Sequence, residues 1–441
     1  MRAGALPHRR QSPAPAATGS RHSRLRSAAA RYREARQALR TPASVQSRAG
    51  LDWMNFFIAD VQTGFGTFVA FYLAELGWSQ GSVGVALAAG GIAGMLSQIP
   101  GGALADAVKW KRGLAAVGIV MTGAAALILV VAPNFVAVFF AQILQGATAG
   151  IITPAIGAIS LGLVGRSAMS VRTGRNYRYS AAGHAATAAL MGAAGAYVST
   201  GSIFIAAAML CVPALIALSF IRGGEIDYAK ARNATVGKQR ANVAHVLDLA
   251  KNRKLVLFIA ATVLFQLADA SMLPLIGENL ATSIKDHAAI WMSGLIIVPQ
   301  VVVAILAPWV GFHSEKRGRR PLLLIGFGLE PVRAILLAFT AGYPFLVAAQ
   351  VLSGITGAII GVLTVLVVTD LTAGTGRFNL AVGVVGAMSG IAASVSTSAT
   401  GFLFQAFGPR IGYLPLAAIA AAATALVWVF LSETKPEKYE D

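Results

Sequence analysis

The stretch Gly102-Ala-Leu-Ala-Asp106, followed by Lys109, Lys111 and Arg112, has a second copy 209 residues later: Gly311-Phe-His-Ser-Glu315, followed by Lys316, Gly318, Arg319 and Arg320. Other pairs keep the same order around it. Asp60 in Phe-Ile-Ala-Asp and Asp269 in Gln-Leu-Ala-Asp are also 209 apart. Gln142-Ile-Leu-Gln-Gly146 returns 208 residues on as Gln350-Val-Leu-Ser-Gly354, and Thr173-Gly174-Arg175 returns as Thr375-Gly376-Arg377. Matches in one order at nearly one offset imply a duplicated unit, so the chain is built as two copies of one element set.

Composition says what that set is made of. Of 441 residues, 56% are apolar and 12% charged, and the mean hydropathy is +0.67. Soluble domains run about 45–50% apolar and about 25% charged, so a soluble core, a disulfide scaffold and a disordered protein are all excluded. From Leu51 onward, apolar runs of helix-spanning length alternate with short breaks, and a helix needs about 20 residues to cross a ~30 Å hydrocarbon core. The runs fall at 51–75, 82–101, 113–132, 135–160, 180–199, 202–221, 255–277, 289–310, 321–341, 345–369, 379–404 and 411–432. The expected fold is therefore an all-α integral membrane protein, twelve transmembrane helices in two pseudo-symmetric six-helix bundles. The bundles are 51–221 and 255–432, joined by a polar linker over 222–254, with a basic tail over 1–50 and a short tail over 433–441.

The net charge of +18 is unevenly placed. Residues 1–50 hold 11 Arg and one acid, Glu34, with much Ala, Ser and Pro and no apolar run. Such a segment buries too little surface to offset its ordering entropy and reads as a disordered cytoplasmic tail. A basic surface helix over Ala28–Arg40, a transit peptide and a dispensable extension are the readings open for it. The remaining bases collect in alternate loops. One set of loops holds 20 of them, the other only Lys285 and Arg410. Short cytoplasmic loops collect Lys and Arg, so both termini are expected in the cytoplasm, with the chain multi-pass in a bacterial inner membrane. The basic charge is then a topology signal, and no nucleic-acid partner is indicated.

On the two loop copies the chain resembles the major facilitator superfamily, over about 51–432. Gly102, Asp106, Lys111 and Arg112 fit its loop between second and third helices, with Ala107 and Lys109 as departures. Gly311, Glu315, Lys316, Gly318, Arg319 and Arg320 fit with Glu in place of Asp. The resemblance implies two parallel halves around a midplane site, secondary transport by alternating access, and a latch role for Asp106, Arg112, Glu315 and Arg320. Topogenic charge is the plainer reading of those residues. Proton-driven drug exporters of the family usually carry Arg where this chain has Gln142, and a Gly-Pro signature on the fifth helix where it reads Gly183 to Gly192 without proline.

Charges left inside the spans are the candidate machinery, because a charge at the bilayer centre costs about 2.5–3.5 kcal/mol on insertion scales. Asp60 and Asp269 fall near mid-membrane with no base three or four residues away on their own helices. They face a wet cavity, pair with another helix, or are protonated, and the first and last suit a proton or cation site. Glu330 and Arg333 stand three apart and form either a local structural pair or a substrate clamp. His184 is a proton relay or a packing residue. Gln62, Gln142, Gln266, Gln300 and Gln350 offer amides to a polar solute or to neighbouring helices.

No phosphate-binding loop, His-Glu-x-x-His, Gly-x-Ser-x-Gly or cysteine pair occurs in the sequence, and Cys211 stands alone. Without these, no catalytic residue, metal site or cofactor is expected. The expected function is movement of a small organic solute by alternating access, coupled to protons, by a monomer. A proton-driven drug or metabolite exporter, and a non-transporting membrane sensor or scaffold working through the basic tail, are the alternatives.

Overall fold

The computed structural model describes residues 43–63, 65–234, 246–276, 288–340 and 342–437. The tail reading therefore lies outside the described residues except at its end. There a helix, α1 (Val45–Thr63), begins six residues inside the expected tail. Its start is fixed locally: the Ser44 hydroxyl accepts from the Ser47 amide at 3.1 Å, and Glu225 of the linker accepts from Ser44 N at 2.9 Å. A hydroxyl that satisfies an otherwise orphaned first-turn donor is the ordinary N-terminal signal of a helix.

The remaining helices of the first half are α2 (Phe65–Glu75), α3 (Gln80–Ala107), α4 (Lys111–Val131), α5 (Phe135–Val164), α6 (Met169–Tyr197) and α7 (Thr200–Ser219). The linker contributes two short turns, α8 (Tyr228–Ala231) and α9 (Val246–Leu249). The second half holds α10 (Arg253–Asp269), α11 (Ala288–Arg317), α12 (Arg320–Phe339), α13 (Tyr343–Leu371) and α14 (Phe378–Phe430). Polar residues at the breaks do the capping: Ser79, Asn134, Ser199 and Asn252 each accept from the amide three residues on, at 3.0–3.2 Å.

Ten stretches among the described residues are long and apolar enough to cross a membrane. Two of them lie within α14, Phe378–Gly408 and Arg410–Phe430, separated by Gly408 at φ +80°, a conformation that glycine adopts without strain. The other two crossings of the twelve are α1 with α2, described on either side of residue 64, and α6. In α6 the expected span over 180–199 is corrected: the helix begins at Met169, so Arg172, Arg175 and Asn176 are helical rather than in a loop. The physical reason is a buried acid. Asp52 on α1 pairs with both Arg172 and Arg175, which offsets the cost of carrying charge into the bundle.

The two halves repeat one packing scheme. In the first, α5 packs on α3 and α4, while α1 packs on α6 and α7; in the second, α13 packs on α11 and α12, while α14 packs on α10 and α12. Between the halves, α3 lies against α14 and α6 against α11, two seams exchanged by the pseudo-twofold. The apolar core of the first half buries Leu51, Met54, Ile119, Leu129 and Phe204. That of the second is built on Phe258, Phe327 and Phe378 and takes in Ala103, Leu161 and Met169 from the first.

Candidate functional site

A cavity of about 450 Å³ sits between the halves. Gln98 of α3, Thr153 of α5 and Tyr177 of α6 line it from one side; Thr262, Gln266 and Asp269 of α10, Thr364 of α13 and Ser389 of α14 line it from the other. Most of the rest of the wall is apolar or glycine, and among the described residues Asp269 is the one charged residue of the lining. Asp269 is the last residue of α10, and the helical run resumes only at Met272. Pro274 accounts for that break, because a proline removes the bond to the carbonyl four residues back, at Ala270. The break leaves a carboxylate whose side chain is 32% exposed.

Asp269 does not stand alone. Arg333 of α12 donates to it through Nη1, and the same nitrogen reaches Glu330 Oε1 at 3.0 Å. Arg333 and Glu330 are essentially sealed from solvent, at 1% and 0% exposure. The local pair expected at spacing three is thus present, and Asp269 adds a third member from another helix. Two carboxylates share one guanidinium, and Glu330 Oε2 has no donor in hydrogen-bonding geometry among the described residues. An arrangement of this kind carries one surplus negative charge unless a proton or a second cation joins it.

The other candidates are scattered. The side chains of Asp60 and Gln62 lie outside the described residues. Gln266 lines the cavity. Gln142 and Gln350, at repeat-related positions, are buried between helices, and their amide nitrogens have no acceptor among the described residues. Gln300 and His184 are half-buried and outside the cavity wall. Gln98 was not singled out by sequence; the signal is its position one turn before Gly102, on the helix face turned to α14. Among the described residues no group of three or more His, Cys, Asp or Glu side chains is placed to hold a metal ion.

Between this cavity and the loop face that carries most of the bases, the halves are clasped together. A Cβ at Gly102 would collide with the Asn379 carbonyl, and one at Gly311 with the Ser170 carbonyl, so both seams close to backbone contact. Asp106 is fully buried and crosses the first seam. Its carboxylate accepts from Asn379 N at 3.2 Å, Asn379 Nδ2 at 2.8 Å and Leu380 N at 2.8 Å, the first-turn donors of α14. A carboxylate on orphan amides at a helix N-terminus gains both hydrogen bonds and the helix dipole. The linker continues the clasp. Tyr228 Oη donates to the Ala107 carbonyl at 3.1 Å, Asn379 Nδ2 to Ala231 O at 3.0 Å, and Asn233 Nδ2 to Thr369 O at 2.6 Å.

The remaining loop residues bond within their own halves in this state. Lys111 is buried beneath the Tyr228 ring and donates to the Ala105 carbonyl, and Arg112 donates to Ser219 O at 3.3 Å. In the second copy, Arg319 bonds Glu315 at 3.2 Å and Asp370 at 3.1 Å, Arg320 reaches the Trp428 carbonyl at 2.6 Å, and Lys316 lies over the Phe312 ring. Gly318 has φ +90° and abuts Glu433.

A sequence model described as Major Facilitator Superfamily matches residues 51–329 and, in an overlapping second match, 258–441. The chain belongs to the Major Facilitator Superfamily. An MFS-type transporter of Mycobacterium tuberculosis is 35% identical over 387 residues, covering 87% of this chain and 93% of that protein. A class B tetracycline resistance protein of Escherichia coli is 36% identical over 83 residues, 19% of this chain and 20% of its own length. Among solved structures, the outward conformation of the MFS transporter FucP superposes with TM-score 0.64 at 14% identity, covering 87% of this chain and 98% of that one. The proton:xylose symporter XylE superposes with TM-score 0.65 at 14% identity, covering 88% and 96%. At that identity the likeness shows the fold. Membership makes the chain a multi-pass secondary transporter of a small-molecule substrate.

Proposed function

We propose that this transporter couples movement of a small neutral or cationic organic solute to protons, through the Asp269–Arg333–Glu330 triad. The observation that carries the reading is that Asp269 is the one charged residue lining the cavity among the described residues and is bonded to an arginine already held by a second, buried carboxylate. The surplus carboxylate asks for one positive charge, and a proton and a cationic or hydrogen-bonding solute are both able to supply it at Asp269. Among the described residues an anion meets no exposed base there. Asp60 holds the repeat-related position in the first half and belongs to the same hypothesis.

With most of the bases on the clasped face, the positive-inside rule places that face, and both termini, in the cytoplasm of a bacterial inner membrane. The state described is then closed to the cytoplasm, held by Asp106 on α14 and by the linker. Rocking about the two seams exchanges access, a monomer suffices, and the solute leaves chemically unchanged. The short match to a tetracycline resistance protein favours export as a second reading, against the absent arginine at Gln142.

The test is flux in proteoliposomes under an imposed pH gradient. Wild-type protein is expected to accumulate or expel solute according to the gradient, while Asp269→Asn and Asp60→Asn lose uphill movement and keep solute exchange. Unchanged uphill transport in both variants sinks the coupling assignment.

A further inference from the structure

The outer side of α6 is basic where a membrane helix is usually apolar. Its Ser170 and Gly174 pack on Gly311 and Ala307 of α11, and its Gly183 packs on Phe56 of α1. Helix geometry then turns Arg175 and Arg178 away from both halves, and both are exposed, Arg175 by 49% of its side chain. Asp52 answers part of this charge, but its two oxygens are taken by buried Arg172 and by Arg175. Arg178 has no hydrogen bond or ion pair among the described residues. Among the described residues Asp52 thus answers Arg172 and Arg175 and leaves Arg178 unanswered.

The flank of this face toward α1 is apolar. On the α1 side Trp53, 49% exposed, stacks on Phe57 at 5.9 Å and meets Tyr179 edge-on at 5.9 Å. Arg178 lies nine residues past Met169, roughly 13 Å along the helix from the basic face at 1.5 Å per residue. Helical side chains lean toward the N-terminus, which for α6 is at the basic face, so long arginine stems carry their guanidiniums back toward that interface. An unanswered cation facing lipid is costly, and a phosphodiester at the interface supplies the missing charge in the geometry a guanidinium binds best.

We propose that the outer face of α6, beside Trp53 of α1, holds the headgroup phosphate of an anionic phospholipid at Arg178, with an acyl chain along Trp53 and Tyr179. The site is separate from the solute cavity and stands whatever solute that cavity takes.

Thermal unfolding of the full chain in detergent tests this, with phosphatidylglycerol, phosphatidylcholine or inorganic phosphate added in turn. Stabilisation by phosphatidylglycerol alone is expected. Arg178→Gln is expected to weaken its apparent affinity about fivefold, and Arg178→Lys to restore most of it, from the usual worth of one base near an anionic surface. Native mass spectrometry of the unaltered protein gives a second readout: phosphatidylglycerol stays bound where phosphatidylcholine is stripped. Equal affinity in Arg178→Gln, no preference between the two lipids, or equal stabilisation by free phosphate each overturns the lipid site.

Discussion

The two halves share a scaffold but not a polar core. At Thr122, Gln142 and Thr148 the first half carries neutral groups, with the two threonine hydroxyls 3.2 Å apart. The same three places, 208 residues on, are Glu330, Gln350 and Thr356. All six are buried. The one change from Thr122 to Glu330 is accompanied by Arg333 where the first half has Ala125, and by the bond from Arg333 to Asp269. A fold that repeats its backbone thus keeps its charge in one half at this depth among the described residues. Among the described residues the charged half is the one that presents a carboxylate to the cavity, which is why the coupling assignment rests there.

Removing one member of that core is the largest way to break the contrast. Arg333→Met leaves Glu330 buried without its cation, and breaking a buried pair from one side costs about 3–5 kcal/mol. Loss of thermal stability with loss of transport is expected. The double variant Glu330→Thr with Arg333→Ala rebuilds the first half's composition in the second and is expected to recover most of the stability while transport stays uncoupled. A double-mutant cycle reads this directly; if the two single losses simply add, the triad is not the interacting unit described here.

The gates differ in the same sense. Asp106 reaches across a seam to α14, whereas Glu315 stays in its own half with Arg319 and Lys435. Asp106→Asn removes charge-assisted bonds worth about 1.5–3 kcal/mol, which shifts the closed state of the basic face by at least tenfold. Glu315→Gln leaves buried Arg319 its bond to Asp370 and crosses no seam, so it is expected to leave the closed state of the basic face unchanged. Spin labels at Trp110→Cys and Arg317→Cys, in a Cys211→Ala background, report the distance between the two loops; equal lengthening in both variants contradicts the asymmetry.

These differences bear on what the sequence discloses. The repeat, the spans and the basic face follow from spacing, hydropathy and charge, which are properties of the chain read in one dimension. Asp269 and the Glu330–Arg333 pair were visible for the same reason, as charges stranded in apolar runs. Their union was not, because the partner helix of an intramembrane acid is a fact of packing. Asp52 shows the limit more sharply: nothing in the spacing or hydropathy singles it out, and it meets Arg172 and Arg175 only because their helix begins at Met169 and packs on α1. Asp370, which holds Arg319, has Gly162 at its repeat position and so left no trace in the comparison of halves.

The smallest contrast is at the helix that follows each gate loop. Neither α4 nor α12 has a side-chain cap of its own, but α12 receives one from the far end of the chain: Glu433 accepts from Arg319 N at 2.8 Å and Arg320 N at 3.1 Å. Burial pushes the Glu433 carboxyl up, and the amides of Lys435, Arg319, Arg320 and Thr434 outweigh it, so it sits below the usual Glu range. A group depressed in the folded state contributes stability above its unfolded pKa and loses it as pH falls through the folded one. Glu433→Gln is therefore expected to cost about 1 kcal/mol at neutral pH, the ordinary worth of a cap. The gap to the unaltered protein should narrow as the pH drops below about 4, where Glu ordinarily titrates. Thermal unfolding of both proteins across that range decides it, and a gap that stays constant into acid means that the carboxylate charge is not what holds the second gate loop to the tail.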